Sequence, residues 1–151
     1  MSNTQIDPKV RQAQQLAERT AELLFERDQM SRNLGMKILR VGPGCASVAM
    51  RVRADMLNGQ GSCHGGVLFS LADSAFAFAC NTYNVVTIAA GATIDFIMPA
   101  GQGDELTAIA KELWRVRRIG LYDVVVMNQR EEQILFFRGR SHQLDSKLIS
   151  E

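Results

Sequence analysis

The stretch SCHGGVLFSLADSAFAFACN, Ser62 to Asn81, decides the fold, because apolar or small residues occupy every face that a helix of this sequence presents. A helix that is apolar all round must be buried, with a sheet or a partner wrapped about it. The sequence therefore predicts one central hydrophobic helix enclosed by the rest of the chain.

Six candidate strands accompany this helix. Alternating apolar and polar residues, or β-branched runs bounded by turn residues, predict them at 34–38, 45–53, 85–97, 105–116, 121–128 and 133–142. Short polar turns join the last three strands, which predicts a meander. We therefore expect a single α+β domain, in which about six mostly antiparallel strands curl around one helix.

The N-terminal part of the chain has a different pattern. From Pro8 to Met30, apolar residues recur at helical spacing among Gln, Glu and Arg, which predicts an amphipathic surface helix, and Pro8 suits its first turn. We expect residues 1–33 to form an N-terminal extension, residues 34–145 the main domain, and residues 146–151 a C-terminal tail.

Composition excludes several classes of protein. The chain has 151 residues, of which 46% are hydrophobic and 22% are charged, as in an ordinary globular domain. A net charge of +1 provides no field that would steer the protein to nucleic acid or to an anionic membrane. Three cysteines without CxxC spacing, and the lack of an apolar leader or span, predict a soluble protein of the reducing cytoplasm.

Asp73 does not fit its surroundings, since it is the single charged residue between Gly65 and Cys80. An unpaired carboxylate in such a helix would cost several kcal/mol of desolvation. Asp73 must therefore be hydrogen-bonded, have a raised pKa, or face a cavity. The purely structural alternative is a buried carboxylate that backbone amides or an arginine satisfy.

The start of the helix, His64-Gly65-Gly66, is the second candidate feature. Backbone N–H groups at a helix start lack intrahelical acceptors and carry the positive end of the macrodipole. They can bind a phosphate or polarise a carbonyl as an oxyanion hole. The chain has neither Walker spacing nor a dinucleotide fingerprint, which disfavours phosphate, while tight packing of helix against strand is the structural alternative for the glycines.

Distance limits how these two features can cooperate. Gly65 and Asp73 are eight residues apart, so their backbones lie roughly 12 Å apart on one helix. Both cannot touch one small carbonyl. If they serve one reaction, the Gly65 amide of one subunit must meet Asp73 of another, which requires a two-fold dimer.

The order and spacing of several sequence blocks are those of a known family. Over about residues 34–144, the chain resembles the hotdog-fold acyl-CoA thioesterases, in particular the phenylacetate-degradation (PaaI-like) branch. The N-terminal helix lies outside this resemblance. The blocks that carry it are Asn58-Gly59, Cys63-His64-Gly65-Gly66, Phe69, Leu71-Ala72-Asp73, Ala75-Phe76-Ala77, Ala79-Cys80-Asn81, Thr93-Ile94-Asp95-Phe96, Pro99, Gly103-Asp104 and Phe137-Arg138-Gly139-Arg140-Ser141-His142.

The resemblance implies a hotdog fold, paired into a dimer with a continuous sheet and commonly into a homotetramer. It implies that Asp73 is the catalytic carboxylate, acting as general base on water or as nucleophile on a thioester. Gly65 would donate its N–H to the thioester carbonyl, Asn58 would position water or substrate, and His64 would have a supporting role. Acyl-CoA would be the substrate, so coenzyme A enters as part of it and no separate cofactor is expected.

Further residues are candidates for substrate binding. Some relatives hold the hydrolytic water with a hydroxyl residue on the strand after the helix, where this chain has Gly91, with Thr87 and Thr93 as alternatives. Coenzyme A phosphates should meet guanidinium groups and free amides, for which Arg117, Arg118, Gly120, Arg138 and Arg140 are candidates, while Pro99 to Gly101 would lie beside the pantetheine. Candidates for an acyl pocket are Met56, Leu57, Phe69, Phe76 and Phe78.

Rival functions have weaker support in the sequence. A Cys63 nucleophile with His64 as base is disfavoured, because consecutive side chains diverge on a helix. A metal site lacks any His or Cys pair at ligand spacing, and a hotdog dehydratase would need a His base in the central pocket. The remaining alternatives are a thioesterase for aryl-acetyl (phenylacetyl or hydroxyphenylacetyl) or medium-chain acyl groups, and a non-catalytic protein that binds CoA esters on the same fold.

Overall fold

The computed structural model describes residues 7–150, which form α-helices, one short 3-10 turn and a sheet. The elements in chain order are α1 (Pro8–Arg27), α2 (Gln29–Asn33), β1 (Lys37–Gly42), β2 (Cys45–Arg51), the 3-10 turn Ala54–Met56, α3 (Gly65–Cys80), β3 (Thr87–Phe96), β4 (Glu105–Val116), β5 (Ile119–Met127) and β6 (Gln133–Gln143).

One six-stranded sheet carries all these strands, in the order β1-β2-β4-β5-β6-β3, and each neighbouring pair is antiparallel. The predicted meander of β4, β5 and β6 is present. After α3 the chain enters β3 beside β6, so β3 forms one edge of the sheet. The predicted fold class, an α+β hotdog fold with an additional N-terminal helix, is confirmed.

The core lies between α3 and one face of the sheet. Alternation along β2 buries Ala46, Val48 and Met50, and the same period buries Tyr122, Val124 and Val126 on β5. On α3 the ring of Phe76 contacts both Tyr122 and Phe137, with ring centroids 5.5 and 5.7 Å apart. The sheet therefore curls around α3, as predicted from its apolar sequence.

The two ends of α3 are fixed to opposite ends of β3. At its C-terminal end, the Asn81 side chain donates to the Ala77 and Thr87 carbonyls and accepts from the Thr87 N–H. At its N-terminal end, Gly65 lies against the ring of Phe96, the last residue of β3. Helix α3 and strand β3 therefore run side by side in opposite directions.

The N-terminal segment departs from the prediction of one helix over 8–30. Helix α1 ends at Arg27, because Asp28 takes an extended conformation and its carboxylate accepts from the Ser31 N–H, which starts α2. Ala17, Thr20 and Ala21 of α1 are buried. The predicted extension also includes residues 1–6, which lie outside the described residues.

Several strand boundaries also differ from the prediction, and two of them have a clear local cause. Strand β1 begins at Lys37 rather than Leu34, because Leu34 caps α2 and Gly35 leaves the helix with a φ of +69°. Strand β5 begins at Ile119, so the β4–β5 turn consists of Arg117 and Arg118 alone, and Arg117 has a φ of +54°.

Gly139 is required by the packing of β6 on α3. A Cβ atom there would lie 2.9 Å from atoms of both the Phe76 and the Phe137 rings. We expect Gly139→Ala to reduce the free energy of unfolding by ~1–3 kcal/mol, measured by urea denaturation, because buried rings cannot yield without strain. Gly59→Ala is the matched control, since nothing lies within 4 Å of a Cβ there. An equal loss in both variants would contradict this account of Gly139.

Candidate active site

Asp73 lies in the middle of α3 and is half-buried. Within residues 7–150 its carboxylate has neither a hydrogen bond nor an ion pair, and the pKa of Asp73 is raised, first by burial and then by the Asp28 carboxylate. Of the outcomes that the sequence allowed, the structure shows the raised pKa and not the satisfied, purely structural carboxylate. An unpartnered, partly exposed carboxylate of this kind can accept a proton from water.

Gly65 presents a free backbone amide at the start of α3. Its N–H has no acceptor among the described residues, whereas the N–H groups of Val67 and Leu68 both donate to the His64 carbonyl. A Cβ at Gly65 would lie 3.2 Å from the Phe96 ring, so the glycine also allows a close packing contact. The oxyanion and packing interpretations of this glycine are therefore compatible.

His64 is the N-cap of α3. Its Nδ1 accepts a hydrogen bond from the Gly66 N–H at 2.9 Å, which places the proton of the neutral imidazole on Nε2. The side chain is exposed. His64 thus removes one helix amide, that of Gly66, from ligand binding, and leaves the Gly65 amide available beside it.

Asn58 organises the loop that precedes α3. Its Oδ1 accepts from the N–H groups of Gln60 and Ser62, its Nδ2 donates to the Ser62 hydroxyl, and its backbone N–H donates to the Ser62 carbonyl. These bonds close a compact turn over residues 58–62. The predicted site residue Asn58 therefore holds the loop that leads directly into His64 and Gly65.

The segment from Pro99 to Gly101, a candidate for substrate binding, lies beside Cys63, which follows this loop. The Cys63 N–H donates to the Ala100 carbonyl at 2.8 Å, and the Gly101 N–H donates to the Asp104 carboxylate. Pro99 and Gly101 are exposed. The structure therefore brings Asn58, His64, Gly65 and this segment together at one end of α3.

The arginine candidates form two separate groups. Arg138 and Arg140 lie on β6 opposite Thr93 and Gly91 of β3, and Arg138 makes two hydrogen bonds to Asp123 at 2.6 and 2.8 Å. Arg140 donates to the Ala90 carbonyl. All four candidate positions on this part of the sheet are exposed.

The β4–β5 turn carries the second group. Arg117 and Arg118 lie near the Thr87 end of the sheet, about 24 Å along α3 from Gly65 in the same protomer. Arg118 pairs with Asp145. Gly120 is buried, and a Cβ there would meet Ser141 and Tyr122 at 2.7 Å, so packing accounts for this glycine.

Cysteine and metal chemistry have no support in the geometry. Burial raises the pKa of Cys63 to about 11, so its thiol is protonated at neutral pH, and the His64 ring is bonded to Gly66. Across residues 7–150, no three His, Cys, Asp or Glu side chains are grouped to bind a metal ion. In the same part of the chain, no helix is both long and apolar enough to cross a bilayer.

Two residues that contact the candidate site were not selected from the sequence. The Phe96 ring covers Gly65, although Phe96 itself is 55% exposed, and the Asp28 carboxylate raises the pKa of Asp73. A large apolar residue at a strand end was a signal for the first. The electrostatic effect of Asp28 on Asp73 joins residues that are far apart in the sequence. The pattern of Asp28 and Ser31 at a helix start indicated only a local cap.

A six-stranded antiparallel sheet that curls around one enclosed helix is the architecture of the hotdog class of proteins. A family model described as the thioesterase superfamily matches residues 60–135, and the chain belongs to this superfamily. The predicted enzyme class, a thioester hydrolase, is thereby confirmed.

Individual relatives support the same assignment. The chain is 43% identical to acyl-coenzyme A thioesterase PaaI of Escherichia coli over 131 residues, 87% of this chain and 94% of the relative. The solved structure of E. coli PaaI covers 89% of this chain and 98% of its own, with a TM-score of 0.88 and 41% identity. A mutant of PaaI from Thermus thermophilus gives a TM-score of 0.75 at 39% identity, covering 78% of this chain and 100% of its own. The predicted resemblance to the PaaI-like branch is confirmed.

Proposed function

We propose that this protein is an acyl-CoA thioesterase that releases a free acid and coenzyme A, with Asp73 as its catalytic carboxylate. One observation carries the proposal: the same helix holds both a free amide, at Gly65, and a half-buried carboxylate, that of Asp73. Within residues 7–150 this carboxylate has no hydrogen-bond or ion-pair partner. These groups supply a base or nucleophile and a donor for the developing oxyanion.

The active site is completed by a second copy of the chain. Strand β3 is a sheet edge whose residues from Ile88 to Thr93 are exposed. If two such edges pair antiparallel about a two-fold axis, the two α3 helices also lie antiparallel beside each other, because each α3 lies alongside its own β3. The start of one helix then approaches the middle of the other, which brings Gly65 toward the partner's Asp73 and removes the 12 Å separation.

The reaction follows from these groups. The thioester carbonyl accepts the Gly65 N–H, and Asp73 takes a proton from the water whose oxygen attacks the carbonyl carbon. The tetrahedral intermediate then collapses, the carbon–sulfur bond breaks, and coenzyme A leaves as a thiolate, which takes the proton. In the alternative route Asp73 attacks the carbonyl carbon, the carbon–sulfur bond breaks and coenzyme A leaves as a thiolate. Water then hydrolyses the mixed anhydride, which releases the acid and restores Asp73, and a proton of this water goes to the thiolate.

Substrate recognition would use two kinds of surface. Phe69, Phe96, Ile97 and Met98 are exposed apolar residues near the helix start, suited to an aryl-acetyl or medium-chain acyl group. The two solved PaaI structures are named for phenylacetic acid degradation, which favours a phenylacetyl group. The exposed Arg140 and Arg117, together with Arg118 and Arg138, would bind the phosphates, since the exposed ion pairs of Arg118 and Arg138 are weak.

The cellular setting and assembly of the proposed enzyme follow the same reasoning. Cys45, Cys63 and Cys80 are all free thiols, which suits a reducing cytoplasm. The mechanism requires a homodimer, and apolar residues exposed on the outer face of the sheet, including Trp114 and Ile119, suit further association into a homotetramer. The chemistry needs no cofactor beyond the coenzyme A of the substrate.

The test is thiol release from a panel of acyl-CoAs, comparing the wild type with Asp73→Asn, while sedimentation determines the oligomeric state. We expect release by the wild-type dimer and strongly reduced release by the variant. Binding of CoA esters without release would identify the non-catalytic alternative. A fully active monomer would overturn the role assigned to the dimer.

The pH dependence provides a further prediction. Burial and the Asp28 charge raise the pKa of Asp73, and this group must be ionised to act as base or nucleophile. We therefore expect kcat/KM to fall with decreasing pH, with a midpoint above the ordinary range of an aspartate. A profile that stays flat down to about pH 4 would contradict this. The measurement is kcat/KM from about pH 4 to 8 with one acyl-CoA.

A further inference from the structure

Helix α2, which begins just after Asp28, contacts α3 directly beside Asp73 through Ser31. The Ser31 hydroxyl lies 2.5 Å from one Asp28 carboxylate oxygen and 2.7 Å from the Ser74 hydroxyl. The other Asp28 oxygen accepts the Ser31 N–H at 2.9 Å. Ser74 immediately follows Asp73 on α3, so a continuous chain of hydrogen bonds links the N-terminal extension to the turn of α3 that carries Asp73.

The direction of this chain is determined by its chemistry. An ionised carboxylate only accepts hydrogen bonds, so the Ser31 hydroxyl donates to Asp28. That hydroxyl has one proton, and Ser74 must therefore be the donor to Ser31. Ser31 is 0% exposed, so water cannot replace either bond, and loss of one bond leaves a buried polar group unsatisfied.

Asp73 depends on its surroundings for its position. Within the described residues its carboxylate has no hydrogen bond of its own, so the placement of α3 sets where the carboxylate lies. Contacts of α3 with the sheet around this turn are mainly apolar and non-directional, whereas the hydrogen bond from Ser74 to Ser31 is directional. The Ser31–Ser74 hydrogen bond fixes the turn of α3 that carries Asp73 relative to Asp28 and the start of α2.

We propose that Asp28 and Ser31 are positioning residues for Asp73, which they hold in place through Ser74; this inference rests on the proposed function. The N-terminal extension thus contributes to the active site although it lies outside residues 60–135, which the thioesterase superfamily model matches.

Asp28 also has an electrostatic effect on Asp73. Its carboxylate raises the pKa of Asp73, second to burial. The sheet faces α3 with apolar side chains except near the C-terminal end of the helix, where the Tyr83 and Tyr122 hydroxyls donate to Glu112, which also pairs with Arg115. On α3 itself, burial and then the Asp73 carboxylate raise the pKa of the Cys80 thiol. Among residues 7–150, Asp28 is therefore the charged group of another element that raises the pKa of Asp73.

Two substitutions separate the bond from the charge. Ser31→Ala removes the link between Asp28 and Ser74. Asp28→Asn removes the charge and keeps an oxygen that accepts the Ser31 N–H, a good N-cap for α2, while its NH₂ group donates to the Ser31 hydroxyl, which in turn donates to Ser74, so the link to α3 is kept with its direction reversed. Glu26→Gln is the matched control, because it removes a nearby charge from the exposed surface of α1. Asp73→Asn serves as the reference for loss of the catalytic carboxylate.

The measurements are kcat, KM and the pH profile with one acyl-CoA, together with the titration of the Asp73 carboxyl by carbon NMR. For Ser31→Ala we expect kcat to fall ~10- to 100-fold while KM changes by less than about twofold, as for a misplaced catalytic group. For Asp28→Asn we expect the midpoints of the acid limb and of the Asp73 titration to move to lower pH, because a like charge is removed. Glu26→Gln should behave as the wild type.

The outcomes distinguish this inference from the proposed function. Wild-type kcat in Ser31→Ala, or unchanged midpoints in Asp28→Asn, would overturn the inference while Asp73→Asn remains inactive. Equal activity of Asp73→Asn and wild type would overturn the proposed function, and the inference with it.

Discussion

Replacement of Asp73 by asparagine is expected to reduce kcat for acyl-CoA hydrolysis by ~10²–10⁴-fold, the usual contribution of a positioned base. Asparagine has nearly the same shape as aspartate but cannot take a proton from water or attack a carbonyl. Binding of the acyl-CoA should change little, because the Gly65 amide and the apolar surface are retained. Thiol release measures the first effect, and calorimetric binding of a CoA ester measures the second.

The stability of the same variant is the control for a folded protein. Folding raises the pKa of Asp73, so the folded state binds this proton more tightly than the unfolded state does. The resulting stability is present below the unfolded-state pKa and is lost as the pH rises through the folded-state pKa. Neutral asparagine has no such loss, so Tm of the variant should exceed that of the wild type at about pH 7, and the difference should shrink at about pH 3.

An inactive variant with a raised Tm at neutral pH would show that Asp73 is a functional group kept at the expense of stability. A variant with reduced Tm and normal thiol release would instead show that Asp73 has a structural role.

The fold was predictable because its strongest signals are local. The apolar stretch from Ser62 to Asn81 can only be an enclosed helix, and alternation in 45–53 correctly predicted which residues of β2 are buried. The element ends were less accurate. Asp28 divides the N-terminal helix through a side-chain cap, and Gly35 delays β1, although apolar residues continue across both positions.

The candidate site was predictable to the extent that it depends on composition within one helix. Asp73 and Gly65 stand out in the sequence, because one is a charge in an apolar helix and the other opens that helix. The Phe96 ring over Gly65 and the hydrogen bond between Ser31 and Ser74 join residues 31 and 43 positions apart. Such contacts arise from packing of separate elements, and no spacing rule within one element indicates them.

The Gly65 amide can be removed without breaking the helix. Gly65 is the first residue of α3, where proline is favoured because the missing N–H has no intrahelical acceptor. His64 before it has a φ of −59° and a ψ of +133°, the extended conformation that a following proline requires. Gly65→Pro therefore deletes one N–H group and preserves the backbone on both sides.

We expect Gly65→Pro to reduce kcat by ~10²–10³-fold, the loss measured when one oxyanion donor is removed. Gly65→Ala is the matched control, since it keeps the N–H and adds a Cβ whose nearest neighbours are atoms of the exposed Phe96 ring. If both variants lose activity equally, contact with Phe96 and not the amide accounts for the glycine. If only the proline variant loses activity while its helical circular dichroism is unchanged, the amide of Gly65 stabilises the transition state, because the two variants then differ in that hydrogen-bond donor.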